Sequence, residues 1–408
     1  MPFFVILEIR VRDSSRWEKE RERDANSTGP VCEASTGRAG SMVSSAVAVT
    51  TGFSIADRVP VEPNLILAPM AGVTDSPFRR LIKELGGVGL IVTEFVSVEG
   101  LTRGNLRTHR LLRFLPEERP ISIQIFGYDD ERMRQAAEVV EEVGADVLDV
   151  NCGCPAKKVI KGGGGSNLLK DLPQLEKILR GIRRSISIPM TVKIRSGWND
   201  SLVNCVEVAK LIEDCGGQMI AVHGRTKEQG YKGWSDWNRI AEVKQAVSIP
   251  VVGSGDVVTP EGALARLDET GVDGVMIGRG AIANPFIFRE AQALQRGETP
   301  PVPSLDEKYR VILRYYELIR DDLPEKAIPG KLKQLCNYFT KGLPGGADFR
   351  QSLLRSQSIP ELLERVEAYF TDERVVDAAA MAGSANAIEA LSEQEWACDT
   401  YCAADEPA

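Results

Sequence analysis

"LILAPMAGVTD", residues 65–75, runs three apolar residues into a turn led by alanine and proline. An open, doubly wound sheet that binds a nucleotide usually follows its first strand with a G-x-G-x-x-G turn, whose missing side chains let the backbone approach a diphosphate. This turn has a single glycine, Gly72, and no such fingerprint. Similar short runs rich in Val, Ile and Leu recur at Leu65–Ala68, Leu90–Thr93, Ile121–Ile125, Val147–Val150, Thr191–Ile194, Met219–Val222, Pro250–Val252 and Gly274–Ile277. Most of the gaps hold patterns of helical period, among them Asp129–Val143 and Asp200–Cys215. Asp75 and Pro77 stand where an N-cap and a first-turn residue belong. Eight buried strands alternating with helices predict an α/β fold, a (β/α)8 TIM barrel, over residues 59–300.

The chain of 408 residues is 43% hydrophobic and 26% charged, an ordinary globular composition with room for one large domain and a smaller one. No apolar run approaches the roughly 18 residues of a membrane span. The opening "MPFFVILEI" is short, carries Glu8, and lacks a basic leader and a small-residue cleavage site, so it does not read as a signal peptide. We expect a cytoplasmic protein with no membrane partner. Eight cysteines without a repeating spacing fit free thiols in a reducing compartment. Residues 1–58 mix balanced charge with Ser, Gly and Ala and read as a disordered extension, or as a start placed too early, with Met42 the better beginning. The net charge of −8 resides in the last segment, where nine acids face Arg374 alone, so 371–408 is expected to be an acidic disordered tail. A small helical domain is expected over 304–370.

A barrel gathers its chemistry just past the C-terminal ends of its strands. Pro69-Met70-Ala71 follow the first strand, Gln124 ends the third, and Asn151-Cys152-Gly153-Cys154 follow the fourth. Lys193 and Arg195 end the fifth, His223 and Arg225 follow the sixth, "GSGD" (Ser254, Gly255, Asp256) the seventh and "GRG" (Gly278, Arg279) the eighth. Gly253, Gly255, Gly278 and Gly280 with Arg279 read as a phosphate cradle, in which backbone N–H groups approach an anion. Gln124, Lys193 and His223 supply amide, ammonium and imidazole donors suited to a flavin, and a cation near the pyrimidine edge stabilises a reduced flavin. FMN is therefore the expected cofactor. Asn151, Lys157, Arg195 and Arg225 are placed on the substrate side. A zinc site needs about four ligands, and two histidines with no second cysteine pair nearby do not supply them; no metal is expected.

"APMAGVTDSPFR", "QIFG", "DVNCGCPAKKV", "VKIRSGW", "VHGRT", "GSGDV" and "GRGAIANPFIF", in this order, resemble the tRNA-dihydrouridine synthases. "CPAKKV" followed by "KGGGGS" is most similar to the bacterial B-type branch. The resemblance spans residues 60 to 370. Ser254 departs from it, standing where the family more often has Asn. The resemblance implies that NADPH reduces FMN, which then saturates the C5–C6 bond of a uridine in tRNA. Hydride delivery to one carbon leaves enolate character, and the other carbon must be protonated by an acid. The resemblance assigns that acid to Cys154, with Cys152 a neighbour.

A uridine within folded tRNA leaves its stack to react, so positive charge should line the approach. Residues 326–355 carry six cations against Asp348. Lys331, Lys333, Lys341 and Arg350 are the expected tRNA platform. A monomer is expected. Two alternatives fit parts of the pattern. An FMN-dependent small-molecule oxidoreductase of dihydroorotate dehydrogenase type explains the flavin and thiol, and a non-catalytic RNA-binding protein explains the basic helices.

Overall fold

The computed structural model describes residues 51–382. Eight parallel strands close into a barrel: β1 (Leu65–Leu67), β2 (Leu90–Val92), β3 (Ile121–Phe126), β4 (Val147–Cys152), β5 (Met190–Arg195), β6 (Ile220–His223), β7 (Val251–Ser254) and β8 (Gly274–Ile277). Each pairs with its sequence neighbours, and β8 pairs with β1 to close the ring. Helices follow most strands and pack outside; Asp75 caps the first, Ser76–Leu85, by accepting from Phe78 N–H, with Pro77 in its first turn.

The period of two along each strand separates two cores. Leu65, Leu67, Ile91, Ile123, Ile125, Leu148, Val150, Val192 and Ile194 face the helices. Ile66, Leu90, Val147, Ala221, Val252 and Met276 face inward and fill the lower barrel. The inward positions nearer the C-terminal ends are polar: Gln124, Asp149, Asn151, Thr191, Lys193, Arg195 and His223. The strands' own alternation thus lifts these side chains into one layer above an apolar floor.

A hairpin, Phe53–Ile55 with Val59–Val61, covers that floor, and Ile55, Val59 and Val61 are buried against it. The expected boundary at residue 58 therefore cuts the hairpin in two; residues 1–50 lie outside the described residues. The helix expected over Asp200–Cys215 starts only at Cys205, because Gly197–Asn199 and Leu202–Val203 pair as a small hairpin beforehand.

Beyond residue 304, helices Leu305–Asp322, Ile328–Phe339, Gly346–Arg355 and Ile359–Phe370 follow. They share the barrel's outer core. Tyr315 meets Phe78 edge-on at 6.3 Å between ring centres, and Phe339 lies 5.9 Å from Phe286. The expected tail is helical where it begins, at Glu373–Ala382; residues 383–408 lie outside the described residues.

Candidate active site

Register places the polar layer side by side: Gln124 opposite Asp149, Asn151 opposite Lys193, and His223 between Arg195 and Ser254. Asp149 is buried, and its carboxylate accepts from Gln124 Nε2 and Thr191 Oγ1, each at 2.5 Å. Burial pushes its pKa up against these bonds. Gln124 Oε1 accepts from Asn151 Nδ2 at 2.7 Å. Both ends of the Gln124 amide are thus engaged below the mouth, and Gln124 reaches the site through Asn151.

Asn151 organises the loop beyond β4. Its Oδ1 accepts from the backbone N–H of Gly153 at 3.1 Å and of Cys154 at 2.9 Å. Gly153 O accepts from Arg195 Nε at 3.0 Å, and Cys154 O accepts from Ser166 Oγ at 2.9 Å. The two cysteines part company here. Cys152 ends the strand pointing into the outer core, fully buried, and desolvation pushes its thiol up. Cys154 lies past the strand end, at the cleft. The glycine run is closely packed: a Cβ on Gly163 would meet the Tyr128 ring, one on Gly164 would come 2.9 Å from Gly127 O, and one on Gly165 2.8 Å from Cys154 O. Gly163 and Gly165 also have positive φ.

Lys193 Nζ makes no hydrogen bond among the described residues. Its pKa is lowered to about 8 by desolvation and by the Arg195 guanidinium, against Asp149 and Cys154. His223 is held well below the ordinary histidine range by burial and then by Arg195, Lys193, Arg225 and Arg279. The ring is therefore neutral near pH 7. Its Nδ1 accepts from Arg225 N–H at 3.2 Å, which leaves the proton on Nε2.

Past β6 and β7, the buried Arg225 donates to Asp256 Oδ1 at 2.8 Å, to Lys232 O at 3.2 Å and to Gly233 O. Asp256 also accepts from Ser235 N–H at 2.7 Å and Arg279 Nη2 at 3.1 Å. Arg225 and Asp256 thereby position the 226–235 loop and Arg279. Gly255 has φ +125°, and a Cβ there would overlap Ser235 Oγ. Gly253 and Gly280 are packing positions instead, the first under the Trp237 ring and the second against Val257 O.

An open cleft with a volume of about 150 Å³ lies above this layer. It brings together Pro69, Met70, Ala71, Asn151, Cys154, Lys193, Arg195, His223 and Arg279 of the expected residues. Gln124, Ser254, Gly255, Asp256, Gly278, Lys157 and Arg225 do not line it. The sequence reading missed Phe95, Tyr231, Ile282 and Tyr338, which do. Arg279 lies 4.8 Å from the centre of the Tyr231 ring. The four platform cations lie outside the cleft and have internal partners. Lys331 donates to Gly72 O at 2.8 Å and pairs with Asp75. Lys333 donates to Ser356 O at 3.0 Å, Arg350 donates to Thr340 O at 3.1 Å, and Lys341 lies 5.3 Å from the Tyr338 ring centre. Among the described residues no group of three or more His, Cys, Asp or Glu is placed to hold a metal.

Residues 66–374 match the family model described as dihydrouridine synthase. The chain is similar to the tRNA-dihydrouridine synthase B of Pseudomonas putida, with 40% identity over 76% of this chain and 92% of the relative. It is also similar to the probable tRNA-dihydrouridine synthase 1 of Synechocystis sp., with 37% identity over 73% of this chain and 83% of the relative. A probable tRNA-dihydrouridine synthase of Rickettsia bellii is 35% identical over 77% and 97% of the two chains.

Proposed function

The chain belongs to the dihydrouridine synthase family, and from that premise we propose that it reduces the C5–C6 bond of a uridine in tRNA with FMN and NADPH, Cys154 supplying the proton. The observation that carries this reading is the composition of one cleft: Cys154 shares it with Lys193, Arg195 and Arg279, and no carboxylate lines it. Such a wall suits an anionic cofactor and disfavours a metal.

The residues present fit FMN. The Lys193 ammonium, with no hydrogen-bond partner of its own, suits the pyrimidine edge of the ring, and His223 offers Nε2–H beside it. Arg279, oriented by Asp256, suits the phosphate. When reduced by NADPH, bound FMN supplies the hydride that adds to one carbon of the uracil C5–C6 bond. The electron pair of that bond then resides on the other carbon, conjugated with the adjacent carbonyl. Cys154 Sγ–H gives its proton there, leaving a thiolate that Lys193 neutralises through their electrostatic interaction. Asn151, Ser166 and Arg195 hold the thiol's loop through backbone bonds, so the acid is in position before substrate arrives. The aromatic residues Phe95, Tyr231 and Tyr338 line the cleft that an extruded base would enter.

The purified protein, loaded with FMN and given NADPH and tRNA from a strain lacking dihydrouridine, should form dihydrouridine detectable by mass analysis of nucleosides. NADPH oxidation without dihydrouridine would place the substrate elsewhere.

A further inference from the structure

We infer that the tRNA phosphates are met chiefly by the loop after β4, through Lys157, Lys158 and Lys161, with Trp234 on the loop after β6 stacking on an exposed base. The inference rests on the tRNA reading above and concerns which surface of the chain meets the RNA.

Residues 151–170 contain four lysines, Lys157, Lys158, Lys161 and Lys170, and no Asp or Glu. All four are exposed. Three lie on the short helix Lys157–Lys161, which begins three residues after Cys154. The loop beneath them is fixed by Asn151, Ser166, Arg195 and the packed glycines. The backbone that carries these charges is therefore already in place three residues after Cys154, which limits the ordering cost at binding to the side chains. The C-terminal helices differ. Lys331 is bound to Asp75, and Lys333 and Arg350 are spent on backbone carbonyls.

The patch continues to the β6 loop. Trp198 is flanked by Lys170 and Lys227, with their ammonium groups 3.7 and 4.3 Å from its ring centre. On that same β6 loop Trp234 is 73% exposed. Its backbone is held on both sides: Arg225 binds Lys232 O and Gly233 O before it, and Asp256 binds Ser235 N–H after it. A large exposed indole carried on an anchored backbone, two residues after Lys232, is a stacking platform for a nucleobase, since every base offers a π face. Glu228 is an opposing charge on this loop, and Lys227 and Lys232 outnumber it.

The two contact types separate by salt. Each phosphate contact contributes a log–log slope of about −0.7 to −0.9, whereas stacking releases no counterion. tRNA affinity of the FMN-loaded full chain is measured by filter binding across a salt series. The variant K157A/K158A/K161A should flatten the slope by about 2. Trp234→Ala should lower affinity about tenfold at every salt with the slope unchanged, and Trp234→Phe should restore most of it. Thermal melting shows that the variants are folded, and glutamine in place of each lysine gives a second set if alanine unsettles the short helix. A slope altered by less than about 0.7 in the folded triple variant overturns the lysine assignment. A Trp234→Ala variant with unaltered affinity, or an altered slope, overturns the stacking assignment. A wild-type protein that does not bind tRNA overturns the functional reading itself, and this surface with it.

Discussion

Lys193 gives the most quantitative test of cofactor binding. It is inward-facing on β5, and desolvation with Arg195 lowers its pKa to about 8 from the ordinary 10.5. The charged form is the one that favours an anionic ligand, so raising pH through 8 removes a cation from the proposed FMN site. The gap between about 8 and 10.5 is about 300-fold in proton affinity, which caps the effect. FMN that restored the ordinary value would bind about 20-fold more weakly at pH 9.5 than at pH 7.5, with affinity falling about five- to sevenfold per pH unit above 8. The ligand's own phosphate titrates near pH 6, below this window. The assay is quenching of FMN fluorescence on titration with cofactor-stripped protein, repeated across pH. Lys193→Ala should bind weakly with a flat profile over pH 7.5–9.5. Lys193→Arg, whose charge persists, should be flat as well while binding more tightly than the alanine variant. An identical fall in wild type and Lys193→Ala would refute the reasoning, since the titrating group would then be another.

Asn151→Ala leaves the N–H groups of Gly153 and Cys154 without their acceptor, so dihydrouridine formation should drop at least about tenfold while FMN content stays near wild type; cofactor absorbance and nucleoside analysis check both. Gly255→Ala combines φ +125° with a clash on Ser235 and should cost about 2 kcal/mol or more in urea unfolding, with loss of FMN. A chain ending at Pro303 uncovers Phe78 and Phe286, whose packing partners Tyr315 and Phe339 it lacks, and size exclusion should find it aggregated, not as a free-standing barrel.

The barrel was legible because parallel strands buried on both sides read as continuous apolar runs, and all eight fall where those runs lie. The candidate site was legible where polar residues follow strand ends: Lys193, His223, Cys154 and Arg279 line one cleft. Tyr231 and Tyr338 were not legible, because a long loop and a helix more than a hundred residues later deliver them, and neither stretch bears a local signal. Glycines misled in a definite way. Gly253 and Gly280 look like cradle residues in sequence, yet a tryptophan ring and a carbonyl occupy the space a side chain would need. The C-terminal cations have internal partners that their sequence does not announce. Charge counting sees Lys331 as a free ammonium, whereas Asp75 and Gly72 are brought to it by the fold across more than two hundred residues. The hairpin at Phe53–Val61 was hidden because three-residue strands interrupted by charge carry no period.

The central claim is that Cys154, and not its neighbour two residues earlier, is the acid that completes uracil reduction. Single-turnover dihydrouridine formation, measured with pre-reduced FMN-loaded enzyme and unmodified tRNA, tests it most directly. Cys154→Ala should still take electrons from NADPH but form dihydrouridine about 10²- to 10⁴-fold more slowly, the usual loss for a general acid. Cys152→Ala, altered only in the outer core, should react at close to the wild-type rate. A Cys154→Ala enzyme that reacts at the wild-type rate, or a Cys152→Ala enzyme that alone is inactive, would contradict the account.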